Sequence, residues 1–598
     1  MQQTQPLDLA KELSAEAEAT RNEASDAVEF DGSAMRVDAH VDRVPRSKQA
    51  QLRKVSALVK RGLKLTAEGD HAQAAKLGLR AVELAPDLAL TNHFLGLCLY
   101  KLGRLSRALD FFERAWKIDP NDPEIYEKMG LVAWKLDMLE VAEKFYRLQL
   151  KGTPNSLNGT INLAGVLRDQ GKFDVAIELL RAAIYANPEN YDLWNSLGTA
   201  LTEKGDQEEA ETFYLEALRL KPDFGRAHNN LANVYELQCQ PEKAIGHFEE
   251  ALKDPSDPQE AAAMRHGRSM VLLAAGHLKE GWEAYDSRLD PTRTKATVFS
   301  IDLPRWNGLD VEEIRGKTVL FVGEQGLGDE VLFMNVVKDL EEAIGPEGQL
   351  RIVCEKRLQP LVRRSFPKAE VFPHTTLSIE GRELRALPDA QKGADIWCAM
   401  ATPMAAFRTS LEDFPDEPGY LVADPEAKAA FREQIDGFGD GLKVGILWKS
   451  LKMDPKRSRF FSAFDAWEGV LKTPGCDFIN LQYGDVEDEI ALAEERFGVP
   501  IHMPQGIDLR QELDKVAALS SSCDLVIGPM NATSNLAAAC GGKVWFVHAR
   551  SSAWTLLGTG RQLWYPQTRS FFGDGFQDWS NTMRQVETAL AEEVSARS

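Results

Sequence analysis

The chain of 598 residues has no apolar run approaching the roughly 18 residues that a membrane-spanning helix requires, which excludes a helical membrane protein. Its seven cysteines, Cys98, Cys239, Cys354, Cys398, Cys476, Cys523 and Cys540, form no CxxC pair, so neither a disulfide framework nor a zinc site is expected. It contains no HExxH motif, no Cys/His cluster and no Asp-x-Asp at a strand end, and a metal is not expected either. Met1 to Asp31 lack the apolar core of a secretory signal, which points to the cytoplasm. Positive charge is short: 70 Lys and Arg face 91 Asp and Glu, a net charge of -21 that disfavours nucleic acid as partner. A 44% hydrophobic share with 27% charge is that of a soluble globular protein.

The length exceeds what one hydrophobic core usually supports, so several domains are expected. The first 50 residues carry 10 acidic and 6 basic side chains and few large apolar ones. Too little surface is available there to offset ordering entropy, and residues 1–48 read as a disordered acidic tail with at most a short helix around Leu9 to Thr20.

Beyond the tail a fixed period begins. Pro86, Pro120, Pro154, Pro188 and Pro222 recur every 34 residues. A small residue keeps the same step at Gly62, Gly96, Gly130, Ala164, Gly198 and Ala232, and an alanine at Ala74, Ala108, Ala142, Ala176, Ala210 and Ala244. Two antiparallel helices that cross closely need small residues at the contact and a proline where the second helix stops. The pattern resembles the tetratricopeptide repeat. Residues 49–289 are therefore expected to form a repeat array, with Pro255 to Leu289 as its capping helix pair.

Arrays of this kind commonly hold a protein segment on the face lined by first helices. By register, candidate residues of an acceptor-protein groove include Tyr100, Trp134, Asn158, Asn162, Arg168, Asn195, Asn229 and Asn233. Amides at shared repeat positions suit a peptide backbone, and plain solvation is the alternative.

Past Asp302 short apolar runs alternate with helical patterns, as in parallel α/β units. Strands are expected at residues 317–323, 350–354, 370–372, 395–398, 443–448, 478–482, 501–503, 525–528 and 543–547, with a hinge over 414–440. The first lobe is assigned residues 290–425 and the second 426–598. Strand 318–322 leads into Gly323-Glu-Gln-Gly-Leu-Gly-Asp329, and strand 525–528 into Pro529-Met-Asn-Ala-Thr-Ser534. The first loop is no phosphate loop, because Asp329 stands where Lys and Ser/Thr are required. The second opens a helix whose free N–H groups suit a phosphate.

Together GEQGLGDEVLF, VGILWKS with RSRF, FINLQYG, DLVIGPMNATSNLAAACGGKVWFV and WYPQTRSFF look like the glycosyltransferase region of bacterial tetratricopeptide-repeat GT-B enzymes. These are similar to heptosyltransferases and O-GlcNAc transferases, and the chain also resembles flagellin glycosyltransferases. The resemblance implies an α-solenoid followed by an α/β GT-B-like domain of two Rossmann-like lobes. It further implies an enzyme that moves a sugar, such as a CMP-linked nonulosonic acid of the pseudaminic type, to Ser/Thr of flagellin held by the repeats, without a metal.

On that reading Asp329 is the base, with helix capping as its alternative role, and Glu324 and Gln325 orient acceptor or sugar. Gly326, Gly328, Lys449, Arg457, Arg459, Gln482, Tyr483, Asn531, Thr533 and Ser534 would bind the donor. His374, His502 and His548 fall outside the matching motifs and are expected to be structural. Trp554, Trp564 and Tyr565 suit stacking on a base or sugar, or core packing. The alternatives are an inactive repeat scaffold that binds a chaperoned partner and a heptosyltransferase-like enzyme acting on glycans.

Overall fold

The computed structural model describes residues 46–597 except 256, 294–295, 325, 380–381, 388, 451–459, 552 and 574–577. The expected tail, its short helix, Gln325, Arg457 and Arg459 thus lie outside the described residues, save for the last few residues of the tail. The chain packs as two compact units, one of Met1–Asn230 with Asp254–Asp257 and one of Leu231–Lys253 with Pro258–Ser598.

The first unit is an α-solenoid of antiparallel helix pairs. Its helices are α1 (Arg46–Ala67), α2 (His71–Leu84), α3 (Ala89–Lys101), α4 (Leu105–Ile118), α5 (Pro123–Lys135), α6 (Leu139–Gly152), α7 (Leu157–Asp169), α8 (Phe173–Ala186), α9 (Tyr191–Lys204), α10 (Gln207–Leu220) and the start of α11 (Gly225–Leu237). Each periodic proline lies just past a second helix, where a missing N–H costs nothing. The small residues of the first helices make room for a ring of the second. A Cβ at Gly96 would lie 2.9 Å from Phe112, one at Gly130 3.0 Å from Tyr146, and one at Gly198 2.8 Å from Tyr214. Alanine replaces glycine at Ala164, where the corresponding partner is the smaller Leu180, and at Ala232, where it is Phe248.

Two further periodic signals fix the helix ends. Asp122, Ser156 and Asn190, one repeat apart, each cap the following first helix by accepting a backbone N–H at 3.0 to 3.1 Å. The turn after each first helix takes a left-handed residue, supplied by Gly69, Gly103, Gly171 and Gly205, and by Asp137 at φ 59° and Cys239 at φ 57°. The non-glycine pair adopts a conformation that side chains disfavour.

The second unit begins with the rest of α11 and continues with α12 (Pro241–Ala251), α13 (Pro258–Ala275) and α14 (Leu278–Tyr285). An α/β region follows. It has strands β1 (Val298–Ser300), β2 (Thr318–Val322), β3 (Gln349–Cys354), β4 (Glu370–Pro373), β5 (Thr375–Ile379), β6 (Arg382–Ala386), β7 (Ile396–Ala399), β8 (Leu442–Ile446), β9 (Cys476–Asn480), β10 (Ile501–His502), β11 (Leu525–Gly528), β12 (Val544–His548) and β13 (Arg569–Phe572). One sheet runs β4-β3-β2-β7 and another β10-β9-β8-β11-β12-β13, both wholly parallel. A third, β1-β6-β5, has β5 and β6 antiparallel.

The central strands β2, β7, β8, β11 and β12 are largely buried, while edge strands β4 and β13 begin at exposed Glu370 and Arg569, and all of these strands but β13 were visible in the sequence. The short strand β1 and the hairpin β5–β6 were not, because Thr375 to Ser378 are exposed and polar apart from Leu377. The stretch expected as a hinge holds helix α15 (Pro425–Asp436), whose N-terminus Asp424 caps and whose Phe431 and Ile435 are buried.

Candidate functional site

The loop after β2 opens a short helix, Leu327–Phe333, in whose first turn Asp329 and Glu330 stand. Glu324 is fully enclosed. Its carboxylate accepts from Arg288 Nε at 2.6 Å, Arg288 Nη2 at 3.0 Å and the Ala401 N–H at 2.6 Å. Arg288, itself buried, also donates to the Tyr285 carbonyl and the Thr402 hydroxyl. Glu324 therefore ties the end of α14 to the first parallel sheet, and its carboxylate is taken up by the protein rather than turned toward an acceptor sugar.

Glu330 is equally enclosed, accepting from His374 Nε2 at 2.8 Å and from the Glu355 N–H at 2.8 Å. Arg385 Nη1 lies 3.3 Å from His374 Nδ1, so the ring carries its proton on Nε2. Gly323 leaves room for this pair: a Cβ there would sit 2.4 Å from Glu330 Oε1. Asp329 itself makes a short backbone contact, its N–H donating to the Gly326 carbonyl at 3.0 Å. Asp329 is half-buried overall, yet enclosure of its carboxyl, with Glu324 and Glu330 adding to it, pushes that group up to about 7, against a hydrogen bond from the Gly326 backbone.

The loop after β11 closes in the same way. Asn531 Oδ1 accepts the N–H groups of Thr533 at 3.0 Å and Ser534 at 3.2 Å, and Ser534 Oγ accepts the Asn531 N–H at 2.9 Å. This reciprocal cap starts helix α16 (Ala532–Ala539) and occupies donors expected to meet a phosphate. The two loops adjoin: Asn535 Nδ2 donates to the Gly328 carbonyl at 3.2 Å.

Of the other expected donor contacts, Gln482 and Lys449 are likewise engaged. Gln482 Oε1 accepts the N–H groups of Trp448 and Lys449, both at 3.0 Å, and Gln482 Nε2 donates to the Tyr483 carbonyl at 3.0 Å. Lys449 pairs with Glu489 and donates to the Asp485 carbonyl at 2.8 Å. Trp554 and Trp564 pack with Trp282 and Phe333 at 6.0 to 6.4 Å between ring centres, and Tyr565 stacks on Tyr420 at 6.1 Å. Trp564 and Tyr565 are buried in the core, and Trp554 packs against it partly buried. His502 stacks on Phe438 at 4.5 Å, and burial lowers His548 to about 4. Arg288 and Arg385 escaped the sequence reading because each meets its partner from outside the motifs, 36 and 11 residues away, while His374, named there as a structural residue, meets Glu330 44 residues away.

The first helices of the solenoid are different. Tyr100, Trp134, Asn162, Arg168, Asn195 and Asn229 are half-buried and Asn158 is exposed. Trp134 Nε1 donates to Asp169 Oδ2 at 2.8 Å, Arg168 to Asp169 Oδ1 at 3.0 Å, and Asn230 Nδ2 to Asn195 Oδ1 at 3.0 Å. Polar groups thus bridge successive first helices while their outer faces meet solvent. Asn233 belongs to the second unit. Among the described residues no group of three or more His, Cys, Asp or Glu side chains is placed to hold a metal ion.

Tetratricopeptide repeat family models match residues 65–132, 161–223 and 225–254. Protein FlbA of Caulobacter vibrioides is 43% identical over 523 residues, 87% of either chain. The chain belongs to the FlbA family. Among solved structures, a thermophilic tetratricopeptide protein of Thermus thermophilus is 26% identical, with a TM-score of 0.28, over 31% of this chain and 99% of that one. YrrB, described as having an unusual peptide-binding site, is 21% identical with a TM-score of 0.24 over 32% and 97%.

Membership of the FlbA family overturns the glycosyltransferase expectation, in both its protein-acceptor and heptosyltransferase-like forms. The GT-B assignment, the enzymatic activity and the nucleotide-sugar donor are withdrawn with it. The motifs that carried the resemblance are strand ends and helix starts many of whose polar groups pair within the protein, although among the described residues buried Asn531 Nδ2, Asn535 Oδ1, Gln567 Oε1 and Ser570 Oγ have no partner. No helix among the described residues is long and apolar enough to cross a membrane.

Proposed function

We propose that this chain is a non-catalytic repeat scaffold whose solenoid holds a segment of another protein. One contrast carries the reading: in the described loops of the α/β region Glu324, Glu330, Gln482 and Lys449 are engaged by the protein's own groups, whereas Tyr100, Trp134, Asn158, Asn162, Arg168, Asn195 and Asn229 line successive first helices with solvent access. Aromatic faces there give apolar contact and amides give backbone hydrogen bonds, a combination suited to an extended segment.

The α/β region serves as the body to which the last helix pairs are anchored, through Arg288–Glu324 and through Arg550, which donates to the Glu236 carboxylate and carbonyl at 2.7 Å. We assign residues 49–289 to the array with its capping helices, and 290–425 and 426–598 to two Rossmann-like lobes. The order β10-β9-β8-β11-β12-β13, which reverses between β8 and β11, favours that reading of the second lobe. Seven free cysteines suit a reducing cytoplasm.

Flagellin, the partner suggested by the sequence resemblance, is the first client to test. Purified flagellin should be retained by the immobilised full chain and retained at least about tenfold less by the Trp134→Ala/Asn195→Ala variant. Equal retention by both proteins would show that the inner face does not hold it.

A further inference from the structure

Charge is unevenly placed along the first helices. One repeat position runs Tyr100, Trp134, Arg168, Thr202, and the next runs Lys101, Lys135, Asp169, Glu203. In the later repeats a single Arg168 is shared by two carboxylates, Asp169 at 3.0 Å and Glu203 at 3.4 Å, which leaves that end net negative. In α3 and α5 the sign is reversed. Among the described residues neither Lys101 nor Lys135 has a carboxylate within 4.0 Å, and Lys135 Nζ lies 5.0 Å over the ring of Tyr100. The nearby Lys128 is taken up by Glu127 at 2.8 Å, and Glu127 also accepts from Gln149.

Lys135 over Tyr100, with Lys101 next to that ring in sequence, makes this part of the face positive on a chain with a net charge of -21. On the footing that the repeats hold a protein segment, we infer that the α3–α5 part of the inner face takes an acidic stretch of the partner. Its carboxylates pair with Lys101 and Lys135, and an interspersed apolar or aromatic side chain lies against Tyr100 and Trp134. The alkyl stem of Lys135, whose ammonium lies over Tyr100, extends that apolar floor. Asp169 and Glu203 repel carboxylates further along, so the acidic part of the segment is confined to the N-terminal end of the face and the segment binds in one direction.

The test uses the full chain and two fluorescent peptides, one rich in Asp and Phe and its counterpart with Asn for every Asp. Anisotropy should show the Asp peptide binding at least about tenfold tighter, an advantage that shrinks as salt is raised. Lys101→Gln/Lys135→Gln, with circular dichroism unchanged, should erase the preference, and Trp134→Ala should weaken both peptides. Equal binding of the two peptides, or an Asp preference that survives the double lysine variant, would overturn the acidic assignment. If the Asn peptide binds equally and Trp134→Ala still weakens it, the scaffold reading stands without the charge rule. If neither peptide binds and flagellin is not retained, both fall.

Discussion

Tyr146 and Tyr214 occupy one position in two repeats, yet their hydroxyls differ. Tyr214 Oη lies 3.2 Å from Thr199 Oγ1 and 3.3 Å from Thr202 Oγ1, whereas the matching residues near Tyr146 are Leu131 and Trp134, and its buried hydroxyl has no partner. Leaving a buried hydroxyl unpaired costs about 1–3 kcal/mol. Denaturant titration should therefore find Tyr146→Phe neutral or stabilising, as the phenylalanines at the same position, Phe112 and Phe248, imply. Tyr214→Phe should lose about 1 kcal/mol.

Asp329 belongs to the same scale. Its carboxyl is raised from 3.8 to about 7 by burial and neighbouring carboxylates, so folding favours the protonated form. The unfolded chain releases that proton at lower pH, and stability contributed by the group is complete below about 4 and lost as pH rises through about 7. Thermal unfolding across that range should show Asp329→Asn more stable than the parent at about pH 8, with the advantage vanishing in acid. A parallel decline of both proteins would remove Asp329 as its source. The residue was legible in the sequence as a helix-start acid, but its environment was not, because Glu324 and Glu330 are set by distant partners.

At the scale of elements, three helix pairs set a glycine against a ring across one contact. The Gly198→Ala variant would place a methyl 2.8 Å from the Tyr214 ring, and such overpacking costs about 1–3 kcal/mol. Adding Tyr214→Leu recreates the Ala164–Leu180 combination of the preceding repeat and should recover most of that loss in a double-mutant cycle. Strict additivity of the two changes would contradict the pairing. The junction between α14 and the first sheet rests instead on a buried ion pair. Glu324→Gln leaves Arg288 uncompensated and should destabilise the second unit by about 3–5 kcal/mol.

The helical period was fully legible because each repeat must solve the same packing problem, so its small residues, rings and caps recur at one step. Strands buried on both faces were legible for a similar reason. The hairpin β5–β6 was not, since its exposed polar strands carry neither an apolar run nor alternation. Helix α15 was read as a hinge because Pro and Asp, which start a helix, also mark loops.

For the molecule as a whole, the two halves of the sequence invited different degrees of trust. The repeat array followed from spacing that physics requires. The catalytic reading followed from motif order, and the glycines and polar residues of those motifs turn out to serve close packing and capping: Gly323 admits Glu330, Gly328 meets Asn535, and Asn531 caps α16. Motif resemblance records which loops a fold needs, while partner contacts decide what those loops do.

The most direct measurement is intact-mass spectrometry of flagellin recovered from its complex with the full chain, after incubation with CMP-linked nonulosonic acid. A scaffold predicts that flagellin co-elutes with the chain and leaves with its mass unchanged. Flagellin that gains the mass of a sugar in the presence of the chain alone would contradict the scaffold and return the α/β loops to catalysis.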